Sequence, residues 1–558
     1  MTTLRRCASP LRDPARTAAG LAFLFLALFA AGSAGAATIH VPADQPTIGA
    51  GLTAAVPGDS VIVAAGTYAG PGNRNLDFAG KDLILFASEG PAATIINCGQ
   101  QGRGFVLTTH ETTACRIVGF TVENAFADGQ AGGVLMSDAG ASIENCVFRN
   151  NRADAGGGIW CNRSMAVITD CAFVGNAGYG DSDYAGYGGG LWADRLSAAT
   201  VTNCTFDGNR SHRGAGAWVG GGAVVDLVDC TFTANVATAW GGGLATRGLQ
   251  TALRVIRSTF TANWASSSGG GASLLETSPE LTDCRFIDNT STSRGGGIFM
   301  SASAPLITGA LLAGNVADEA GGGIVCFGST PIIRSTTIYG NHCPLGGGVY
   351  VGATDGPTAA VIERSIIAFS TAGEAVYCEP SSSADLSCSD AFGNAGGDWV
   401  GCLAGQLGQN GNFAADPLFC NAAGGNFRLD TTSPCAPANS PPGCALIGAF
   451  PAGCGTIGIA AGAPPALVSG LRVAPNPLSG DGRIEWTSAA SAAPLVLKLY
   501  DATGRLAAER DLGPVAGGRQ ALAWSEAFPK QNLASGAYFL RMESRAAAGR
   551  AVRVVIAH

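Results

Sequence analysis

The chain has 558 residues, of which 82 are glycine and only 13% are charged. Hydrophobic residues make up 47%, and low charge with high glycine suits many short strands and tight turns rather than a helical globule. The net charge is −8, with no basic cluster after the N-terminal leader, which excludes nucleic acid and anionic membrane surfaces as partners because both need Lys/Arg clusters.

Residues 1–36 read as a signal peptide. Arg5, Arg6, Arg12 and Arg16 form a positive region, Ala18 to Ala31 an apolar run of 14 residues, and Ala34-Gly35-Ala36 the small residues at a cleavage site. The run is too short to span ~30 Å of hydrocarbon. No later segment is apolar enough to do so, which places the mature protein outside the cell or on its outer surface. Of the 18 cysteines, Cys7 lies in the leader. Export permits disulfides, and the remaining odd number leaves at least one thiol unpaired or paired between chains. Next in the chain, Ile48, Leu52 and Val56 stand at i, i+4 and i+8, the apolar face of a short amphipathic helix.

From residue 143 an internal repeat dominates. Ile143-Glu-Asn-Cys146-Val-Phe148-Arg-Asn-Asn151 recurs as Ile168 to Asn176, Val201 to Asn209, Leu227 to Asn235, Val255 to Asn263 and Leu281 to Asn289, with weaker copies at Ile307 to Asn315 and Ile333 to Asn341. The asparagines follow one another at steps of 25, 33, 26, 28, 26, 26 and 26 residues. Glycine clusters such as Gly156-Gly-Gly-Ile159 and Gly241-Gly-Gly-Leu244 come between them. Residues alternate with period two within each unit, which means strands. A unit of this size buries no face alone and must stack on its neighbours. The sequence therefore predicts an all-β solenoid, a parallel β-helix of eleven or twelve coils at ~4.8 Å spacing.

Within a coil, the Asn position is expected to take a left-handed turn and to bond the stacked Asn of the next coil. The glycines supply a turn that no Cβ can enter. Cys146, Cys171, Cys204 and Cys230 are expected to stack inward as small core residues, because Ser258, Ala310 and Thr336 fill the same column.

The Cys-x-Phe-x-x-Asn…Gly-Gly-Gly-Ile pattern resembles the polymorphic outer-membrane protein repeat, a right-handed parallel β-helix of the pectin-lyase-like superfamily. The resemblance runs over about residues 38–450 and implies that the helix at Ile48 plugs the first coil. Residues 37–370 are assigned to this β-helix with its N-terminal helical cap. Beyond Ser370 the period decays and seven cysteines crowd together, Cys378, Cys388, Cys402, Cys420, Cys435, Cys444 and Cys454. Residues 371–454 thus read as Cys-rich distal coils and a disulfide-held cap with one cysteine left over, and 455–469 as a linker.

Residues 470–558 carry about seven short strand-like runs, which suggests a small immunoglobulin-like β-sandwich. Pro475-Asn476-Pro477, Leu499-Tyr500-Asp501-Ala-Thr-Gly504-Arg505 and Leu533-Ala-Ser-Gly536-Ala-Tyr538-Phe539 resemble the type IX secretion C-terminal sorting domain. That resemblance implies secretion machinery as a partner of this module.

Functional residues are sparse. No carboxylate pair or histidine stands in a pattern known for glycoside hydrolysis or elimination. Asp170, Asp229 and Asp283 alternate with Asn145 and Asn203 in one column, which reads as a polar ladder at a turn. Two features remain. The insertion 177–187 supplies Tyr179, Asp181, Asp183, Tyr184 and Tyr187. Its two carboxylates are too few for a closed Ca²⁺ site of about 6–8 oxygens, so no cofactor is assigned. The second is a column following the glycine clusters, Trp160, Trp192, Trp218, then Phe299 and Tyr350. By alternation this column faces outward, an exposed aromatic strip suited to sugar rings or to a partner protein. The sequence thus favours a non-catalytic, exported binding or adhesion scaffold with polysaccharide as its expected ligand. The alternative is a polysaccharide lyase or glycoside hydrolase.

Overall fold

In the computed structural model the described residues are 36–180, 186–353 and 358–454, with most of 468–556. All but the last residue of the signal-peptide reading (1–36), Asp181, Asp183, Tyr184 and nearly all of the linker fall outside them.

Residues 38–392 wind into a parallel β-solenoid. Its strands lie in three long sheets of 14, 13 and 12 strands and a shorter one of 8, about 13 turns in all. The count exceeds the expected eleven or twelve because the end coils, such as Thr38–Val41 with Ser60–Val63, lack the Cys-x-Phe signature. One turn shows the plan. Ala198–Thr202 adds to the 14-stranded sheet, Thr205–Asp207 to the 13-stranded, Arg210–Arg213 to the 8-stranded and Ala217–Gly220 to the 12-stranded.

Each corner of this turn holds a left-handed residue, Asn203 (φ 52°), Gly208 (61°), Gly214 (59°) and Gly221 (58°), and the last holds a second, Gly222 (φ 78°). The ladder asparagines themselves are not left-handed; the residue before each one is, as at Asn150, Ala234 and Asp288. This corrects the expected turn position. With the preceding residue turning the corner, the Asn side chain points into the turn. Asn209 then donates its backbone N–H to Asn235 Oδ1 at 3.0 Å, and its amide to the same oxygen at 2.9 Å and to the Phe173 carbonyl at 2.9 Å. The pattern repeats from Asn151 to Asn341, and every one of these side chains is fully buried. Beside the ladder, Phe173, Phe206, Phe232, Phe260 and Phe286 stack with ring centroids 4.5–4.7 Å apart and planes within 6°. Across the coil, glycines sit where backbones nearly touch: a Cβ on Gly242 would lie 2.5 Å from the Gly270 carbonyl oxygen.

The cysteine column is a set of buried free thiols, as expected of small core residues. Cys171, in the corner after the strand Met165–Thr169, donates its Sγ–H to the Thr169 carbonyl at 3.3 Å and accepts the Cys146 backbone N–H at 3.5 Å. Ser258 makes the equivalent bonds with its hydroxyl. The aspartate column is the polar ladder expected of it. Asp170 takes the Asn203 amide, and Asp229 takes both arms of the Arg257 guanidinium.

The N-terminal helix, Ile48–Ala54, is capped by Thr47 and buries Ile48 and Leu52. Val56 lies past its end and is 57% exposed, so the apolar face is one turn shorter than expected. At the distal end three disulfides, Cys378–Cys402, Cys388–Cys444 and Cys420–Cys454, bind the cap, and Cys435 is the free cysteine left over. Residues 468–556 form two small antiparallel sheets of three and four strands, with a hydrophobic cluster that includes Ile484, Trp486, Leu497 and Leu540. Among the described residues no helix is long and apolar enough to cross a membrane.

Two tests follow from this packing. Asn235→Ala leaves the buried Asn209 backbone N–H without its acceptor, and should cost about 1–3 kcal/mol in urea unfolding. Thr231→Ala, exposed on the same coil, should stay within about 0.5 kcal/mol. In the cap, burial raises the Asp390 carboxyl to about 7. The folded carboxyl therefore keeps its proton while the unfolded one loses it near pH ~4, so stability falls as pH rises from about 4 to 7 and then levels. Asp390→Asn should remove that decline. Its Tm should exceed that of the parent at pH 8, by up to about 4 kcal/mol in stability, and match it at pH 4.

Candidate functional site

The aromatic column exists and is in register. Trp160 pairs with Trp192 and Trp192 with Trp218 on adjacent strands of the 12-stranded sheet. It is not an exposed strip. Trp192 is 7% and Trp218 6% exposed, because a second column covers them. The residue just before each glycine cluster, in the series Tyr187, Arg213, Trp240, Ser268, Arg294 and Ala320, lines up coil on coil and leans over the outer face. Tyr187, delivered by the insertion 177–187, packs on Trp192 at 5.5 Å and Trp218 at 4.6 Å between ring centroids. The Arg213 guanidinium lies over the Tyr187 ring at 5.2 Å and the Trp240 ring at 4.4 Å. Trp160 is half-buried at the edge, 5.3 Å from Trp192.

Phe299 and Tyr350 belong to a separate buried cluster with Phe327, capped by Arg294 at 5.2 Å from the Phe327 ring. Tyr350 also donates its hydroxyl to Glu379. The five aromatic candidates are therefore two clusters, not one strip. Ala245 and Ser273 interrupt them on the intervening coils. Tyr179, from the same insertion as Tyr187, is instead exposed and stacks under Arg152 at 4.2 Å.

Beside the tryptophans lies a cavity of about 400 Å³. Trp160, Tyr187, Trp192 and Trp218 form its aromatic wall; Gln130, Asp194, Arg195 and Arg247 form its polar wall, with Gly221 between them. The polar residues follow from strand alternation. Asp194 stands two places after Trp192, and Arg247 two after Ala245 in the next coils, so they share the outward face of their strands. Period-two counting from the tryptophans would have found them; counting glycine clusters alone did not.

Asp194 is the chemically distinctive group. Its side chain is only 17% exposed, and burial raises its carboxyl above the ordinary range, opposed by the Arg195 backbone N–H. Gly221 makes room for it, since a Cβ there would collide with Asp194 Oδ1. Arg195 Nε lies 3.8 Å from Asp194 and Arg247 3.2 Å from Glu276, and both guanidinium side chains are more than half exposed. Among the described residues the buried indole N–H groups of Trp160 and Trp192 have no acceptor. No group of three or more His, Cys, Asp or Glu capable of holding a metal occurs among the described residues.

The family model described as "Right handed beta helix region" matches residues 88–260, which assigns the solenoid its right hand. The chain is similar to the crystal structure of pectate lyase Pel9A, with 13% identity and a TM-score of 0.32, over 75% of this chain and 96% of that one. It is also similar to the A-modules of the Azotobacter vinelandii mannuronan C-5 epimerases AlgE6 and AlgE4. These have 10% and 12% identity and TM-scores of 0.28, over 64% of this chain and 91% and 88% of theirs. No curated protein matches the sequence.

The cover is testable by fluorescence. Tyr187→Ala should open Trp192 and Trp218 to water, red-shifting emission and raising acrylamide quenching. Trp218→Ala should cost about 3–5 kcal/mol in stability, as removal of a buried aromatic does.

Proposed function

We propose that this chain is an exported β-helical scaffold that binds carbohydrate, without cleaving it, in the cavity walled by Trp160, Tyr187, Trp192 and Trp218. The observation that carries this reading is the pairing of a rigid aromatic wall with a polar wall inside one cavity of about 400 Å³, within the ~300–1,000 Å³ of small-molecule sites. The rings supply apolar area at low entropic cost, while Asp194, Gln130 and the guanidinium groups supply directed hydrogen bonds. Carboxylate chemistry on a glycosidic bond calls for two groups flanking it, and the described lining offers one, Asp194.

Export is supported by the leader sequence and by the three disulfides, which persist in oxidising compartments. The polymorphic-repeat pattern supports a place on the cell surface. The Pro475-Asn476-Pro477 and Leu533 to Phe539 motifs, on a module of two antiparallel sheets, support a role for 470–558 as a sandwich-type sorting or anchoring domain.

The secreted full-length chain should bind a subset of a glycan array and release neither new reducing ends nor unsaturated products. Trp160→Ala, at the half-buried edge, should fold and weaken that binding at least about fivefold, the loss of more than ~1 kcal/mol typical of an anchoring ring. Product release would instead favour the lyase or hydrolase, and binding indifferent to Trp160 would place the ligand elsewhere.

A further inference from the structure

The cavity opens beside an apolar corner that the fold itself does not use. On the premise that the cavity binds carbohydrate, we infer that its ligand is a glycolipid: a sugar head seated in the cavity, with an aliphatic chain laid over the adjoining corner.

That corner is where each coil passes from the 12-stranded to the 14-stranded sheet. On four successive coils it exposes a large aliphatic side chain: Met165 at 62%, Leu196 at 70%, Val224 at 55% and Leu249 at 86%. Val167, next on the same face of its strand as Met165, is exposed as well. The edge is in register, Met165 pairing with Ala198, Ala198 with Val224 and Val224 with Ala252, and both alanines are exposed. Leu196 lies over Gly222, where a Cβ would come within 2.9 Å of Leu196 Cδ2 and 3.7 Å of the Gln250 Cβ. Apolar side chains scattered singly need no explanation, but a contiguous patch marks a binding surface.

Leu196 is costly where it stands. Its φ is 64°, and Gly222 on the next coil has φ 78°. Glycine and asparagine enter that left-handed region readily and leucine does not. Burial in the fold does not compensate a side chain so exposed; contact with an apolar ligand does.

The corner is continuous with the cavity. Arg195, Gly221 and Arg247 line the cavity, and Leu196, Gly222 and Leu249 follow them by one or two residues at the same three corners. Arg195 and Arg247, both more than half exposed, stand at the junction of the two parts, where a head-to-chain linkage is polar.

The two parts differ in chemistry. The tryptophan and tyrosine rings offer rigid flat area to a sugar face. Leucine, methionine and valine offer nothing to hydroxyl groups, but they take a hydrocarbon chain out of water. Five large apolar side chains are few beside the ~20–30 residues a side of a stable protein interface, which argues against a second copy as the cover.

The test uses the full secreted chain and calorimetric titration with methyl and octyl glycosides of glucose, mannose, galactose and the terminal sugar of any glycan retained on the array, each below its micelle concentration. At least one octyl glycoside should bind at least about tenfold more tightly than its methyl counterpart, because buried methylene groups add to affinity. Leu196→Asn combined with Leu249→Ser, both at exposed positions, should fold, remove that gain and leave the methyl form unchanged. Octyl tetraethylene glycol, which carries the chain without the sugar, should bind at least about tenfold more weakly than the octyl glycoside, having no ring to set against the aromatic wall. Equal binding of methyl and octyl forms overturns this inference and leaves the carbohydrate-binding reading standing. The chain without a sugar binding as tightly as the octyl glycoside also overturns it, as does a dimer in sedimentation equilibrium that Leu249→Ser dissolves, since a second copy then covers the corner. Absence of binding by every octyl glycoside overturns it too, and a blank glycan array alongside overturns both.

Discussion

The asparagine inside each turn is the constraint on which this molecule depends. Its amide reaches the stacked asparagine and, in the other direction, a phenylalanine carbonyl of the coil before. These bonds form inside the solenoid, away from water, where an unmet amide is expensive. They are satisfied only when every coil places the same residue at the same corner. The ladder thereby locks the register, and the register stacks everything else: the phenylalanine rings, the thiols and the glycine backbones that pass close enough to exclude a Cβ. Left-handed corner residues such as Ala234 and Asp288, neither of them glycine, are strained positions that stacking on both sides holds in place.

The same register creates the outer-face chemistry. Trp160, Trp192 and Trp218 occupy one position on consecutive coils, and on a bare sheet they would stand in water. They do not, because the residue before each glycine cluster forms its own column alongside. Where that column holds Tyr187, Arg213 and Trp240, it closes over the tryptophans with ring and guanidinium contacts. What remains is a cavity at the margin of the cluster rather than an open platform. Burying the rings also leaves the Trp160 and Trp192 indole N–H groups without acceptors.

The ends of the solenoid solve a different problem. A parallel coil exposes unpaired strand edges at both termini. At the first coil the short helix Ile48–Ala54 covers the opening with Ile48 and Leu52. At the last, regular stacking gives way to loops held by three disulfides, with the Asp390 carboxyl buried against the free Cys435 thiol at 3.4 Å. Cap and coil share little composition, which is why the repeat signal fades toward residue 370 although paired strands continue to Phe392.

The sequence by itself determined the repeat, its strand character, the inward columns of Cys and Phe, the asparagine contacts and the odd cysteine of the cap. Each is a property of one residue type recurring at one interval, and recurrence is visible in a linear string. It determined the outer face less well. Alternation shows which way Trp192 points, but not that Tyr187, five residues earlier, folds back over it, nor that Asp194 and Arg247 from different coils meet at one cavity. It also misplaced the left-handed corner by one residue, because Asn tolerates that conformation as readily as its neighbour and only the direction of the side chain decides between them. Those outcomes depend on distances between coils and on which side chains reach across them, and the tertiary structure alone decides both.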